Sequence, residues 1–118
     1  MNIEEIRDYC LSFNGVTEEC PFGPEVLVFK VMGKMFALLP LDSPELTISL
    51  KNSPEKNQDL RSEYWFITGA YHMSKVHWNS IQIDFSVKKE LVFSLVFESY
   101  ELVKQGLTKK LKLELEAI

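Results

Sequence analysis

Two β-rich runs, residues 26–31 and 35–39, stand only three residues apart, across Met32-Gly33-Lys34. A connection this short, with glycine at its centre, joins neighbouring antiparallel strands, because a parallel crossover needs roughly a dozen residues or more. The hairpin commits the chain to an antiparallel sheet that other segments must cover. A third strand follows where Thr47, Ser49 and Lys51 alternate with Ile48 and Leu50, one wet face against one dry. In a fourth, Ile81, Ile83 and Phe85 alternate with Gln82, Asp84 and Ser86.

Helical signals fill the intervals. Asn2 can cap a first helix with Glu5 reaching back from the third position, and Ile3, Ile6, Cys10 and Phe13 form its apolar stripe up to Asn14-Gly15. Ser53-Pro54 opens a short helix over 54–64, with Leu60 and Tyr64 as its apolar face. Ser86 can cap the longest helix, 87–104, whose Val87, Leu91, Leu95, Val96, Tyr100 and Val103 make a band broad enough to lie across a sheet before Gly106 ends it. Thr108 begins a last helix packed by Leu111 and Leu115. The expected order is α-β-β-β-α-β-α-α: an α+β layer structure, a mostly antiparallel sheet packed against helices. With no linker or internal repeat, residues 1–118 read as a single domain.

Two irregular stretches interrupt this pattern. Cys20-Pro21-Phe22-Gly23-Pro24 is a dense turn signal, and Phe22 is expected to tuck beneath it as a plug. The segment 69–79 holds both histidines, Tyr71, Lys75 and Trp78 without helical or strand periodicity, so it reads as a shaped loop entering a strand. Val76 and Trp78 are out of phase with Ile81 and Ile83, which predicts a bulge or turn between Trp78 and Ile81 that would project His77 and Asn79 at a defined angle.

Charge limits the partners. Thirteen Lys and Arg against 17 Asp and Glu give a net charge of −4, so a phosphate backbone could be met only by a local basic patch. Within 69–89 the charges are Lys75, Lys88 and Lys89 against Asp84, whereas the N-terminal quarter carries Glu4, Glu5, Asp8, Glu18, Glu19 and Glu25. The chain is electrically lopsided. Cys10 and Cys20 sit among no other metal ligands, the N-terminus has no secretion-signal pattern, and no apolar run approaches the ~20 residues of a membrane span, so a cytoplasmic protein with reduced thiols and no membrane role is expected.

The chemistry-bearing residues point to binding. His72 and His77 are five positions apart, where a helical ligand pair would be four apart, and Asp84 is the only nearby third ligand in sequence. Cys10 lies on an apolar stripe, Cys20 has no local base, and no phosphate-cradling or nucleophile-elbow motif occurs. No catalytic residue, metal site or cofactor is therefore expected. His72, Lys75, His77 and Asn79 suit phosphates or base edges, with Trp78 or Tyr71 as a stacking face. The structural alternative makes Trp78 and Tyr71 core anchors, Lys75 a solvated side chain and the histidines caps on backbone carbonyls.

Several separated motifs carry a resemblance: residues 6–10 with Asn14-Gly15-Val16-Thr17-Glu18, Pro21-Phe22-Gly23, Val28-Phe29-Lys30-Val31, Gly33-Lys34-Met35-Phe36-Ala37, Tyr71-His72-Met73-Ser74-Lys75 with His77-Trp78-Asn79, and Ser99-Tyr100-Glu101-Leu102-Val103. In this order they resemble the MmcQ/YjbR family of small bacterial proteins across nearly the whole chain. The resemblance implies a CyaY-like fold and a DNA-binding role with a double-wing motif, which falls here on His72, Lys75, His77, Trp78 and Asn79. It implies no catalytic residues and no cofactor. The likeness of that fold to frataxin-type iron proteins suggests a rival role for Glu4, Glu5, Asp8, Glu18 and Glu19, although the last two lie beyond Gly15. The expectation is a non-enzymatic module that binds duplex DNA through the 71–79 loop. Its alternative is a small-molecule or protein-interaction domain with a cleft lined by Tyr71, His72 and Trp78.

Overall fold

Hairpin strands β2 (Val26–Val31) and β3 (Lys34–Pro40) pair antiparallel, and Val31 lies opposite Lys34. Only Met32 and Gly33 make the turn, at φ +50° and +84°; two positive φ values fit the tight hairpin turn that matches strand twist, and glycine carries the second without strain. The register slips once: Phe29 faces Ala37 and Lys30 faces Met35, so Phe36 is an extra residue in β3 and both Phe36 and Ala37 are buried. The computed structural model describes residues 1–70 and 73–118.

The remaining elements are α1 (Ile3–Leu11), β1 (Val16–Glu19), β4 (Leu46–Lys51), α2 (Pro54–Glu63), β5 (Ile67–Gly69), β6 (Trp78–Ile83), α3 (Lys89–Gln105) and α4 (Lys109–Glu116). They form one antiparallel sheet in the order β1-β2-β3-β4-β6-β5, an α+β architecture with two more strands than the expected order. The additions are the two edges, β1 and β5. The expected caps are in place: the Asn2, Ser53 and Thr108 side chains accept from the amides of Glu5, Lys56 and Leu111. α1 stops at Leu11, earlier than Gly15. Gly15 has φ +74°, and a Cβ there would collide with the Leu115 side chain, so glycine lets α4 pack against this turn.

Three local expectations are corrected around β6. The register runs without a shift from Lys51 opposite Trp78 to Leu46 opposite Ile83, so no bulge separates Trp78 from Ile81. The phase conflict disappears because the inward residue at the head of the strand is Asn79, while Trp78 takes the other face. The strand ends at Ile83, and Phe85 is fully exposed rather than the next buried position. Ser86 does not cap α3: its amide and hydroxyl donate to the Asp84 carboxylate in a tight turn, and α3 begins at Lys89 with no side-chain cap.

The core lies on one face of the sheet. Ile6 and Cys10 of α1, Leu60 of α2, Leu95 and Val96 of α3 and Leu115 of α4 belong to one buried cluster with Phe29, Ala37, Leu50 and Ile81. Val28, Ala70 and Trp78 are buried but stand outside that cluster. The pleat explains this, because the row Val28, Leu38, Ser49, Ser80, Thr68 crosses the sheet one residue out of phase with Phe29, Ala37, Leu50, Asn79, Gly69. That second face carries no helix among the described residues.

Candidate functional site

The uncovered sheet face holds a cleft of about 400 Å³, floored by Val26, Leu38, Pro40, Thr47, Ser49 and Ser80 and flanked by Phe22, Ala70 and Met73. Its floor is part apolar and part hydroxyl. Ser49 and Ser80 sit opposite each other on β4 and β6, and their hydroxyls meet at 2.9 Å. One wall is the proline turn, where the Gly23 amide donates to the Cys20 carbonyl and Gly23 takes φ +111°. Phe22 does not plug that turn: it is 61% exposed and borders the cleft.

The other wall leads into the 73–77 loop, which is tied down from within by its own backbone. Arg61 Nη1 donates to the Lys75 carbonyl (2.7 Å), Asn57 Nδ2 to the Val76 carbonyl (3.1 Å) and the Asn52 amide to the His77 carbonyl (3.1 Å). Three successive carbonyls thus have partners on α2 and the segment leading into it. The Trp78 amide closes the turn onto the Ser74 carbonyl (2.9 Å) before β6 begins. Lys75 also lies across Gly69, where a Cβ would come within 3.0 Å of its side chain.

The residues expected to form a binding surface therefore divide. Lys75 and His77 are exposed on this fastened loop. Trp78 is only 7% exposed and Asn79 2% exposed. Asn79 is not aimed outward: its side chain accepts from Arg61 Nη1 (2.8 Å) and donates to the Asn57 carbonyl (3.2 Å). His72 and Tyr71 lie outside the described residues, so the expected cleft of Tyr71, His72 and Trp78 does too.

Basic groups gather unevenly. Lys34 and Lys51 line a second cleft of about 340 Å³ beside Met35, Trp78 and the C-terminal end of α3. Among the described residues, Lys34, Lys51 and Lys75 make no ion pair, whereas Lys30 is held by Glu19 at 3.0 Å. Lys88 stands at the far end of α3, about 25 Å from that cleft at 1.5 Å per residue. The acidic N-terminal groups are partly spent internally: Glu5 pairs with Lys89, Glu18 with Arg7 and Glu19 with Lys30.

Among the described residues, the groups that metal or nucleophile chemistry would use stand apart. No three His, Cys, Asp or Glu side chains among the described residues come together as a metal site. Asp84 follows the last residue of β6 and His77 precedes the first, about 20 Å apart along an extended chain, and the Asp84 carboxylate is held below its usual range by the Ser86 hydroxyl and amide. Burial pushes the Cys10 thiol up to about 12, which leaves it un-ionised and inert, and Cys20 is exposed.

The residues that shape the site and escaped the sequence reading are Asn52, Asn57 and Arg61. A signal for two of them exists: Asn57, Leu60 and Arg61 share one face of α2 at spacings of three and four, so two polar side chains accompany the single buried leucine. Asn57 is almost wholly buried; both hydrogens of its amide group are committed, to the Asn52 and Val76 carbonyls.

Known proteins resemble this chain in sequence and in fold. The family model described as YjbR matches residues 11–102. The uncharacterized protein YbdF of Escherichia coli O157:H7 is 39% identical over 94 residues, covering 76% of this chain and 74% of its own. The uncharacterized protein YjbR of Escherichia coli K12 is 28% identical over 101 residues, 86% of each chain. The crystal structure of Deinococcus radiodurans protein DR2400 superposes with a TM-score of 0.90 at 36% identity, covering 98% of this chain and 88% of its own. A Pseudomonas syringae protein superposes with a TM-score of 0.74 at 28% identity, covering 86% and 98%. With the family model spanning most of the chain and the fold shared nearly end to end, the chain belongs to the YjbR family.

Proposed function

We propose that this chain is a non-enzymatic binding module, working in the cytoplasm, whose ligand is a small organic molecule seated in the cleft on the open sheet face. The observation that carries the reading is the cleft itself: about 400 Å³, inside the size range of ligand pockets, with an apolar floor and a few convergent hydroxyls. Its floor is sheet, and the chain beyond Met73 is pinned by three carbonyl bonds, so these parts need little ordering on binding. Two free cysteines suit a reducing compartment. The test is amide-shift mapping with a library of ring-sized fragments. Shifts should cluster on Leu38, Thr47, Ser49, Met73 and Ser80, and a scatter over the surface would reject the cleft as the site.

A second reading, duplex-DNA binding through the 71–79 loop, is favoured by one observation. Lys75 and His77 are exposed on a loop whose carbonyls are bound inward, and Lys34 and Lys51 line the neighbouring cleft without ion pairs among the described residues. In this reading phosphates meet those four side chains, and the buried Trp78 and Asn79 position them. Binding should then weaken with salt, and Lys75→Ala and His77→Ala should reduce it. Absence of any mobility shift at low salt with micromolar protein would dismiss this reading and leave the first intact.

A further inference from the structure

We propose that the second cleft, at the end of the sheet where β3 and β4 part, binds a small organic anion, its charged group held by Lys34 and Lys51 and its apolar body against Met35, Leu102 and Val103. This site is a different surface from the open-face cleft, and its ligand is a free small molecule rather than a duplex, so it depends on neither reading above.

The opening has a structural cause. β3 and β4 pair at Ala37–Leu50 and Leu38–Ser49. Just beyond, the Ser99 hydroxyl stands between the strands, donating to the Phe36 carbonyl and accepting from the Lys51 amide at 2.9 Å. A hydroxyl placed between an amide and a carbonyl sets them farther apart than the direct bond of a ladder would, so the strands open toward Lys34 and Met35 on one side and Lys51 on the other. The C-terminal end of α3, at Leu102, Val103 and Gly106, closes the gap from the helix side and leaves about 340 Å³, within the size range of ligand pockets.

Charge chooses the ligand. Each of the two parting strands contributes a lysine to the cleft. Two acids on the C-terminal half of α3 are already engaged: Glu101 pairs with Lys104 at 3.7 Å, and Glu98 accepts from Asn52 and lies 3.9 Å from Lys56. The negative end of the helix is capped, because the Leu102 and Val103 carbonyls accept from the Gly106 amide and the Lys104 carbonyl from that of Leu107. Two cations at one cleft raise the local potential on a chain of net charge −4, and an anion placed between them relieves their mutual repulsion. The lining also asks for more than a bare ion: Met35 and Leu102 are half-buried and Val103 is buried, so a ring attached to the anionic group would cover apolar surface that an inorganic ion leaves wet.

The experiment titrates 2-naphthoate, 1-naphthyl phosphate, 2-naphthol and inorganic phosphate separately into the isotope-labelled protein at neutral pH. At least one naphthyl anion should shift the amides of Met35, Lys51, Val103 and Gly106 and bind at least about tenfold more tightly than 2-naphthol or inorganic phosphate. Preference for the carboxylate would support an organic acid as the ligand, and preference for the phosphate a phosphoester. Lys34→Gln and Lys51→Gln should each weaken that anion severalfold while retaining the native spectrum, whereas Lys88→Gln, at the far end of α3, should leave its affinity unchanged. If 2-naphthol binds this cleft as tightly as the anions, or if neither lysine variant weakens them, the selection by charge is overturned. Shifts confined to Leu38, Thr47, Ser49 and Ser80 would move the anion to the open sheet face, and no shift of the four cleft amides at millimolar concentration would overturn the site itself.

Discussion

One nitrogen of Arg61 joins β6 to the loop that precedes it: Nη1 donates to the Asn79 side-chain oxygen at 2.8 Å and to the Lys75 carbonyl at 2.7 Å. Asn79 is buried, so its oxygen has no water to fall back on. Arg61→Ala should therefore destabilise the fold by about 2–3 kcal/mol, the cost of an unpaired buried acceptor plus a lost bond. Urea unfolding measures the loss, and amide exchange should accelerate between Ser74 and Trp78 well before the rest of the chain. Unchanged exchange there would show that Arg61 does not hold the loop.

Ser99 of α3 does similar work on the same helix-covered face, beneath β3 and β4. Its hydroxyl donates to the Phe36 carbonyl and accepts from the Lys51 amide at 2.9 Å, bridging β3 and β4 just beyond their Ala37–Leu50 pair. Ser99→Ala leaves both backbone groups unpaired beside the core, and a loss of roughly 2 kcal/mol is expected in chemical denaturation.

The thiols should separate cleanly. A water-soluble disulfide reagent at mildly alkaline pH should modify Cys20 rapidly and leave Cys10 untouched in the native protein, because Cys10 is buried and its pKa is pushed up to about 12. Denaturant should release the second equivalent. Two fast equivalents without denaturant would contradict the placement of Cys10 in the core.

An acid-side prediction rests on α1 and β1. Arg7 grips Glu18 through both Nε and Nη2, and that hydrogen bonding holds the Glu18 carboxyl below its ordinary value. Because the folded value is depressed, the contribution is present above the unfolded value and is lost as the pH falls through the folded one. Glu18→Gln should cost no more than about 1 kcal/mol near neutrality, as the pair is partly solvated. The difference between the native protein and the variant should close in acid, below the carboxylate range, in parallel urea titrations. A difference that widened in acid would have the wrong sign.

What the sequence reveals is local. The Met32-Gly33 hairpin and the caps at Asn2, Ser53 and Thr108 are legible because each is decided within a few residues. β1 and β5, of four and three residues, are too short to show a period of two, and they are strands because β2 and β6 offer them an edge. Trp78 misleads for a related reason: a large aromatic suggests the core face, yet the chain gives that face to Asn79 and compensates it with Asn57 and Arg61. The cleft is the hardest part to foresee. Thr47, Ser49 and Ser80 read as an ordinary wet face, and only the collection of all the helices on the other side leaves them as a floor between Phe22 and Met73.

The most direct check of the cleft is to fill it. Ser80→Phe places a bulky side chain, well suited to a strand, on the floor without touching the helix-covered core. Calorimetric titration of the ring-sized fragment that most strongly shifts the cleft amides into the native protein and this variant, with circular dichroism to confirm the fold, should show affinity falling by at least about tenfold. Equal affinity in a folded Ser80→Phe protein would mean that the ligand binds elsewhere and that the open sheet face is not the site.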